Sequence, residues 1–133
     1  MATALRPLQT AIYTKLTGSS ALMARVSGVY DKVPEPATYP FVTIGAISES
    51  VDDTHDHQGL VSLVNVHVWS MAPGDSETYD VFADVDAALD RTNLTVAGFS
   101  QVFIKHTQHQ TIPDPDPRIR HLSATYRVSM RKD

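Results

Sequence analysis

The densest group of side chains that can bind a metal or transfer a proton lies in the segment DDTHDHQ, which contains Asp52, Asp53, His55, Asp56 and His57. In an extended segment, residues i and i+2 point the same way, so the imidazoles of His55 and His57 can reach one cation together. With the neighbouring carboxylates they offer a donor set for a divalent metal. The same residue types are typical of a solvated hairpin tip. We therefore favour a polar hairpin loop that faces solvent or a partner, and keep a small metal-binding module or metal-dependent enzyme as the alternative.

Other histidines lie in segments with strand-like patterns. Beside a carboxylate, His67, His106 or His109 can act as a general acid or base near neutral pH. The sequence contains no serine nucleophile elbow, no HExxH motif and no glycine-rich phosphate loop. Trp69 and Tyr126 can form a stacking platform, although aromatic residues within strands more often pack in a core. We therefore assign no catalytic residue, cofactor or metal ligand, and predict that the protein is not an enzyme.

A stiff acidic segment, PDPDP, precedes a strand-like run that carries arginines. Its prolines occupy alternate positions from 113 to 117, so three φ angles are restricted and three backbone N–H donors are missing. A loop of this kind loses little entropy when a partner binds it. We predict that Asp114 and Asp116 project from the loop and that Arg118 and Arg120 follow on the adjacent strand. This arrangement is typical of a rigid contact surface rather than a pocket.

The composition predicts one globular domain. The chain has 133 residues, of which 42% are hydrophobic and 20% charged, and its formal net charge is -4. The acidic balance and the scattered basic residues argue against a nucleic-acid surface, which needs clustered lysines and arginines. Because there is no cysteine, disulfides, thiolate zinc sites and thiol nucleophiles are excluded. No apolar run is long enough to span a bilayer, and the N-terminal residues lack the pattern expected of a signal peptide.

Hydrophobic periodicity predicts two main helices. The N-terminal helical segment, residues 3–26, contains a helix with the apolar stripe Leu5, Leu8, Ile12 and Leu16, followed by a short helix that Ser19 or Ser20 can cap. The second main helix lies within residues 72–92, where Asp75 or Ser76 can cap its start, Val81, Val85, Ala88 and Leu89 form the buried stripe, and Tyr79 and Phe82 lie beside it.

Runs rich in β-branched residues predict the strands. In the strand 60–71, one face carries Leu60, Ser62, Val64, Val66 and Val68, and the other carries Val61, Leu63, Asn65, His67 and Trp69. Apolar residues on both faces favour a central strand that is covered in part on each side. The other predicted strands are 41–51, 99–111 and 118–130, with a short one near 29–33. We therefore predict an α+β class, a mostly antiparallel sheet of four to five strands with two main helices packed on it, in a single domain over 1–133 whose sheet and helix core spans 28–131.

Several short motifs follow one another in a specific order along residues 28–130. Pro40-Phe41-Val42 leads into a strand, an Asp/His/Gly loop precedes the next strand, and that strand ends in His67-Val68-Trp69-Ser70. Glu77 then lies early in a helix, and PDPD with a following Arg-His precedes the last strand. In this order the motifs resemble the small tail-completion proteins of long-tailed bacteriophages, a family once known as a domain of unknown function that includes the phage tail terminators.

The resemblance implies a structural protein of the virion, at the head-proximal end of the tail, that is assembled in the host cytoplasm. It implies a ring, typically a homohexamer, that caps the tail tube, stops tube polymerisation and provides the interface for head attachment. The implied partners are further copies of the chain, the tail tube protein and a head-completion or connector protein. DNA would pass through the lumen without specific binding, and no membrane is involved. A neighbouring head-tail connector role is the alternative within this class, and no catalytic residue is carried over.

One loop departs from the family pattern. Family members often carry DPDG where this chain has DPDP, and proline cannot adopt the positive φ that glycine allows, so the turn is expected to differ. We predict that this loop and the loop 52–57 contribute to docking or subunit contacts, with the two arginines pairing with a neighbour's carboxylates. The predicted interaction residues are Asp52, Asp53, His55, Asp56, His57, Asp114, Asp116, Arg118 and Arg120.

Overall fold

A mixed sheet with helices on one face forms the framework of the chain, and a computed structural model describes residues 3–133 of it. In chain order the elements are α1 (Leu5–Thr17), α2 (Ser20–Met23), β1 (Val29–Tyr30), β2 (Phe41–Val51), β3 (Gly59–Ser70), α3 (Ser76–Leu89), β4 (Phe99–Pro113) and β5 (Arg120–Lys132). Across the sheet the strands lie in the order β1-β2-β3-β5-β4. Strand β1 is parallel to β2, and the other neighbouring strands are antiparallel. This confirms the predicted α+β class and its mostly antiparallel sheet.

The helices bury their apolar stripes against one face of the sheet. In α1, Leu8, Ile12 and Leu16 are fully buried, and burial of each such side chain stabilises the fold by about 1.5–3 kcal/mol. Leu5 was predicted in the same stripe but is 44% exposed, because its neighbour Ala4, which is buried, occupies the core-facing position at the helix start. The α3 stripe is confirmed for Val81, Val85 and Leu89, with Ala88 partly buried and Tyr79 exposed. Within residues 3–133, no helix is both long and apolar enough to cross a membrane.

Side chains cap the starts of α1 and α2, whereas the start of α3 differs from the prediction. Ser19 accepts a hydrogen bond from the backbone of α2 at 3.2 Å, which confirms that predicted cap. The start of α1 is capped from the sheet, because Glu49 of β2 accepts a hydrogen bond from the backbone N–H of Ala4 at 2.6 Å. The predicted cap of α3 is wrong. Asp75 occupies the cap position without a side-chain cap hydrogen bond, and its carboxylate instead lies 3.7 Å from Nη1 of Arg120.

Strand β3 lies at the centre of the sheet, and its two faces differ. The face predicted to carry Leu60, Ser62 and the alternate valines is buried, which confirms the alternation. The opposite face is less buried: Leu63 is exposed, whereas the other side chains on this face of β3 are partly buried, in line with the predicted central strand that is covered in part on each side. We call this second surface the open face. Its residues on β3 and the flanking strands include Val61, Leu63, Asn65, His67, Trp69, Phe103, Lys105, His121, Ser123, Thr125, Arg127, Ser129 and Arg131.

Two hairpin loops connect neighbouring long strands of the sheet. The acidic loop, residues 52–58, joins β2 to β3, and the proline loop, residues 114–119, joins β4 to β5. Strand β4 is longer than predicted and includes Pro113, which is tolerated because β4 is an edge strand whose outer N–H groups need no partner. Arg118 therefore lies in the turn and not on the strand where it was predicted, while Arg120 begins β5.

Candidate interaction surface

The two loops that were predicted to make contacts lie at opposite ends of the sheet. The acidic loop is next to the cross-strand pair Gly59 and Arg131, whereas the proline loop is next to the pair Ser70 and Arg120. The 12 residues of β3 separate these ends, a length of about 40 Å at the usual strand rise. The predicted interaction residues thus form two separate surfaces rather than one site.

The acidic loop is held by its own backbone and one carboxylate. The N–H of Asp52 donates to the carbonyl of Gly59 at 2.9 Å, and Oδ1 of Asp53 accepts the Gly59 N–H at 3.2 Å. His57 is half-buried and its Nδ1 lies 2.9 Å from Oδ1 of Asp56. His55 is exposed. Among residues 3–133 no group of three or more histidines or carboxylates is arranged to hold a metal ion, so no geometry favours the metal-binding alternative.

The proline loop is organised by its two aspartates. The carboxylate of Asp114 accepts the N–H of Asp116 at 2.9 Å, and the carboxylate of Asp116 accepts the N–H of Arg118 at 3.0 Å. Each contact is an Asx turn, in which a short side chain replaces a backbone turn bond and needs no residue with positive φ. The prediction that both carboxylates project outward is therefore wrong: they are half-buried and bind the loop itself. This explains how the turn closes with Pro117 in place of a residue that allows positive φ.

The two predicted arginines have carboxylate partners within the chain. Arg118 donates from Nε and Nη2 to the carboxylate of Asp116 at 3.1 and 2.8 Å. Hydrogen bonds from Arg118 lower the pKa of Asp116 to about 2. At the start of β5, Arg120 lies 3.7 Å from Asp75. Pairing of these arginines with a neighbour's carboxylates remains a prediction.

Replacement of Arg118 by alanine should raise the pKa of Asp116 from about 2 part of the way toward its ordinary value of 3.8. The recovery is only partial because the backbone N–H of residue 118 still donates to the carboxylate. An NMR titration of the side-chain carboxyl carbon measures the change, and Arg120→Ala is the matched control that should leave the Asp116 titration unmoved. Titration still near 2 in the Arg118 variant would contradict this account of the loop.

Aromatic and imidazole rings cluster on the open face near the proline loop. The ring of Trp69 stacks on that of His121, with centroids 3.8 Å apart and planes at 7°, and its Nε1 donates to Thr43 at 3.1 Å. Nδ1 of His67 lies 2.8 Å from Nε2 of His121. Burial lowers the pKa of His67, and burial with the nearby His67 lowers the pKa of His121, against an opposing effect of Asp114. Of the predicted stacking pair, Trp69 lies in this cluster, whereas Tyr126 is in the core.

A second group of residues on the open face was missed by the sequence analysis. Lys105 of β4 stands directly opposite Arg127 of β5, and Arg131 lies four residues further along β5 on the same face. We call these three residues the basic patch. Leu63 and Phe103 flank it and are 44% and 47% exposed. The view that basic residues are scattered is thus wrong in three dimensions, because the register of β4 on β5 gathers them.

Comparisons with known proteins agree on one family. The family model described as "Tail completion protein gp17" matches residues 10–131 of this chain. The chain is 30% identical over 116 residues to the tail completion protein gp17 of Bacillus phage SPP1, an alignment that covers 87% of this chain and 86% of that protein.

Two solved structures show the same fold. A chain in the virion of a native gene transfer agent particle matches with a TM-score of 0.90 at 21% identity, over 98% of this chain and 99% of that one. The bacteriophage SPP1 gp17 protein matches with a TM-score of 0.58 at 23% identity, over 96% of this chain and 90% of that one.

Proposed function

We propose a function for this chain from the premise that it belongs to the tail completion protein gp17 family. It is accordingly a structural protein of a phage-type tail. Six copies close into a ring that caps the tail tube, stops further polymerisation of the tube and offers the interface to which the head attaches. The partners in this proposal are the chain itself, the tail tube protein and a head-completion or connector protein.

The observation that carries the proposal is the placement of two different loops at opposite ends of one sheet, with an open face between them. A closed ring joins different patches on adjacent subunits, and the two long sides of this molecule differ, because β4 forms one edge and β1 with the outer part of β2 forms the other. The two ends differ as well, which allows one end to bind the last ring of the tube and the other to bind the head. A ring whose two ends differ terminates growth because its free end does not repeat the tube surface.

The open face supports a subunit or tube contact. Leu63 and Phe103 are nearly half exposed on this sheet surface, and the stacked Trp69 and His121 lie further along it. Interfaces between proteins are enriched in aromatic residues and arginine at their centres. Contact with a second protein would remove this apolar area from water, which contributes roughly 25 cal/mol for each Å² buried.

The proline loop suits a docking role because it is ordered before any partner binds. Two Asx turns and an ion pair within the loop restrict its backbone. A loop that is already ordered loses little conformational entropy on binding.

DNA passes through the lumen of the ring without specific binding. Acidic or neutral groups on the lumen wall favour passage over adhesion, in line with the net charge of -4.

Native mass spectrometry and electron microscopy of the purified protein test the ring. We expect a species of six times the 14.6 kDa of one chain, seen as rings, and tubes that stop growing when the protein is added to polymerising tail tube protein. Phe103→Asp should reduce ring formation because it places a charge on the apolar surface. Tyr79→Asp is the matched control, since Tyr79 is 51% exposed on α3 in the helical layer. A wild-type chain that stays monomeric and leaves tube growth unchanged would contradict the proposal.

A further inference from the structure

We infer that the basic patch binds the acidic loop of the next copy in the ring, so that an electrostatic contact joins adjacent subunits. The inference rests on the proposed ring and names one of its contacts. The basic patch is Lys105, Arg127 and Arg131 on the open face, and the acidic loop supplies Asp52, Asp53 and Asp56.

The geometry of the patch concentrates positive charge on a small area of sheet. Lys105 and Arg127 are a direct cross-strand pair, and the Cβ atoms of such pairs are about 5 Å apart. Like charges directly opposite each other in a sheet are destabilising. Strands β5 and β3 place Leu63 on the other side of Arg127, so this arginine lies between a like charge and an apolar side chain.

Within residues 3–133, these three basic side chains form no ion pair. No carboxylate lies within 4 Å of the basic groups of Lys105, Arg127 or Arg131 in that range. By contrast, Arg25 lies 2.7 Å from Asp84, and Arg118 lies 2.8 Å from Asp116. A chain with excess acid has carboxylates available, yet between residues 3 and 133 none of them pairs with this cluster, so an acidic partner would relieve the repulsion.

The surroundings of the patch favour a protein partner over nucleic acid. Phe103 and Leu63 stand among the charges, and arginine mixed with exposed aromatic and aliphatic side chains is typical of the centre of a protein interface. A nucleic-acid surface gains affinity from many phosphate contacts and usually from an overall basic domain. Here three basic groups lie on a chain of net charge -4.

The acidic loop of a second copy is the complementary surface that this chain itself offers. Asp52, Asp53 and Asp56 are exposed, and within the described part of the chain no lysine or arginine lies within 4 Å of their carboxylates. The loop and the patch lie toward the same end of the sheet, because Arg131 pairs with Gly59, the residue that follows the loop. Rotation about a ring axis parallel to the strands would therefore place the loop of one copy level with the patch of the next.

A charge-swap experiment on the full chain tests this contact. We expect Arg127→Glu and Asp52→Arg each to raise the concentration needed for half-assembly of the ring by about tenfold or more, and the double variant to recover most of that loss. Assembly of the wild type should also weaken as salt is raised, because salt screens exposed charges. Arg6→Glu is the matched control, an equal charge change on an exposed residue of the helical layer. Circular dichroism confirms that each variant is folded.

The outcomes separate this inference from the proposed function. Rings that form equally well in the wild type and both single variants would overturn the inference and leave the proposed ring intact. Intact rings with loss of tube binding, or of DNA retention in a filter assay, would assign the patch to a different partner and also overturn it. Single-variant losses without recovery in the double variant would show that the two residues do not meet. A wild type that forms no ring at any concentration would overturn both proposals.

Discussion

Tyr126→Ala should lower the free energy of unfolding by about 3–5 kcal/mol, the range for truncation of a large buried aromatic side chain. Tyr126 of β5 is fully buried within the sheet, and among residues 3–133 it is the largest of the fully buried side chains. It stands opposite Val64 of β3 and packs edge-on against the ring of His106, with centroids 5.5 Å apart. Both neighbours are in the sheet and cannot move into the cavity. Loss of about a third or more of the stability of a typical domain is expected.

Chemical denaturation followed by circular dichroism measures this effect. Tyr79→Ala is the matched control, because Tyr79 is the same residue type but is 51% exposed, and its truncation should change stability by less than about 0.5 kcal/mol. Equal losses in the two variants would mean that the sheet centre is not packed as described.

The hydroxyl group of Tyr126 can be tested separately. It donates to Oδ1 of Asp86 at 2.9 Å, and hydrogen bonds to charged groups contribute about 1.5–3 kcal/mol, so Tyr126→Phe should cost about 1.5 kcal/mol. Burial, followed by the charge of Asp86, raises the pKa of Tyr126 well above its ordinary 10.0. Because the unfolded chain then releases this proton first, stability should fall as the pH rises above about 10. That part of the alkaline loss should be absent in the Tyr126→Phe variant.

Local patterns were sufficient to predict the elements and the two faces of the central strand. The alternation of Leu60, Ser62 and the valines along β3 has a period of two, and the buried face follows it residue by residue. The stripe of α1 was predicted equally well except at Leu5, where the buried position is the neighbouring Ala4, since residues three and four apart both fall on one helix face. Features determined by neighbours in the chain were therefore predictable.

Features that depend on pairing between distant segments were not predictable in this way. Asp75 does not cap α3 with its side chain, because its backbone has φ of -106° and ψ of -4° and not the extended geometry of a usual cap. Its carboxylate lies instead near Arg120, which is far away in sequence. The basic patch depends on the register of β4 against β5, which two bulges shift, one between Ser100 and Phe103 and one between His106 and Gln108. A strand pattern assigns each basic residue to a face, but only the register determines which residues are opposite each other.

Gly59→Ala should destabilise the hairpin that carries the acidic loop, by about 1–3 kcal/mol, the usual cost of adding a methyl group where there is no space. A Cβ atom at this position would lie 2.5 Å from the carbonyl oxygen of Asp52 and 3.3 Å from that of Met130. Both are backbone atoms, so no side-chain rotation can relieve the overlap. The strand end must therefore shift, and the shift breaks the contacts of Gly59 with Asp52 and Asp53.

Hydrogen exchange and ring assembly test the prediction for Gly59→Ala. Hydrogen exchange at the Asp52 and Gly59 amides should accelerate more than in the rest of the sheet, because only the hairpin end opens. Gln58→Ala is the control, since Gln58 is the neighbouring residue, its side chain is exposed, and the variant keeps the backbone carbonyl that accepts from the N–H of Lys132. If the acidic loop binds the next subunit, Gly59→Ala should also weaken ring assembly while Gln58→Ala does not. Unchanged exchange in the Gly59 variant would show that the close approach of the two backbones does not hold the loop.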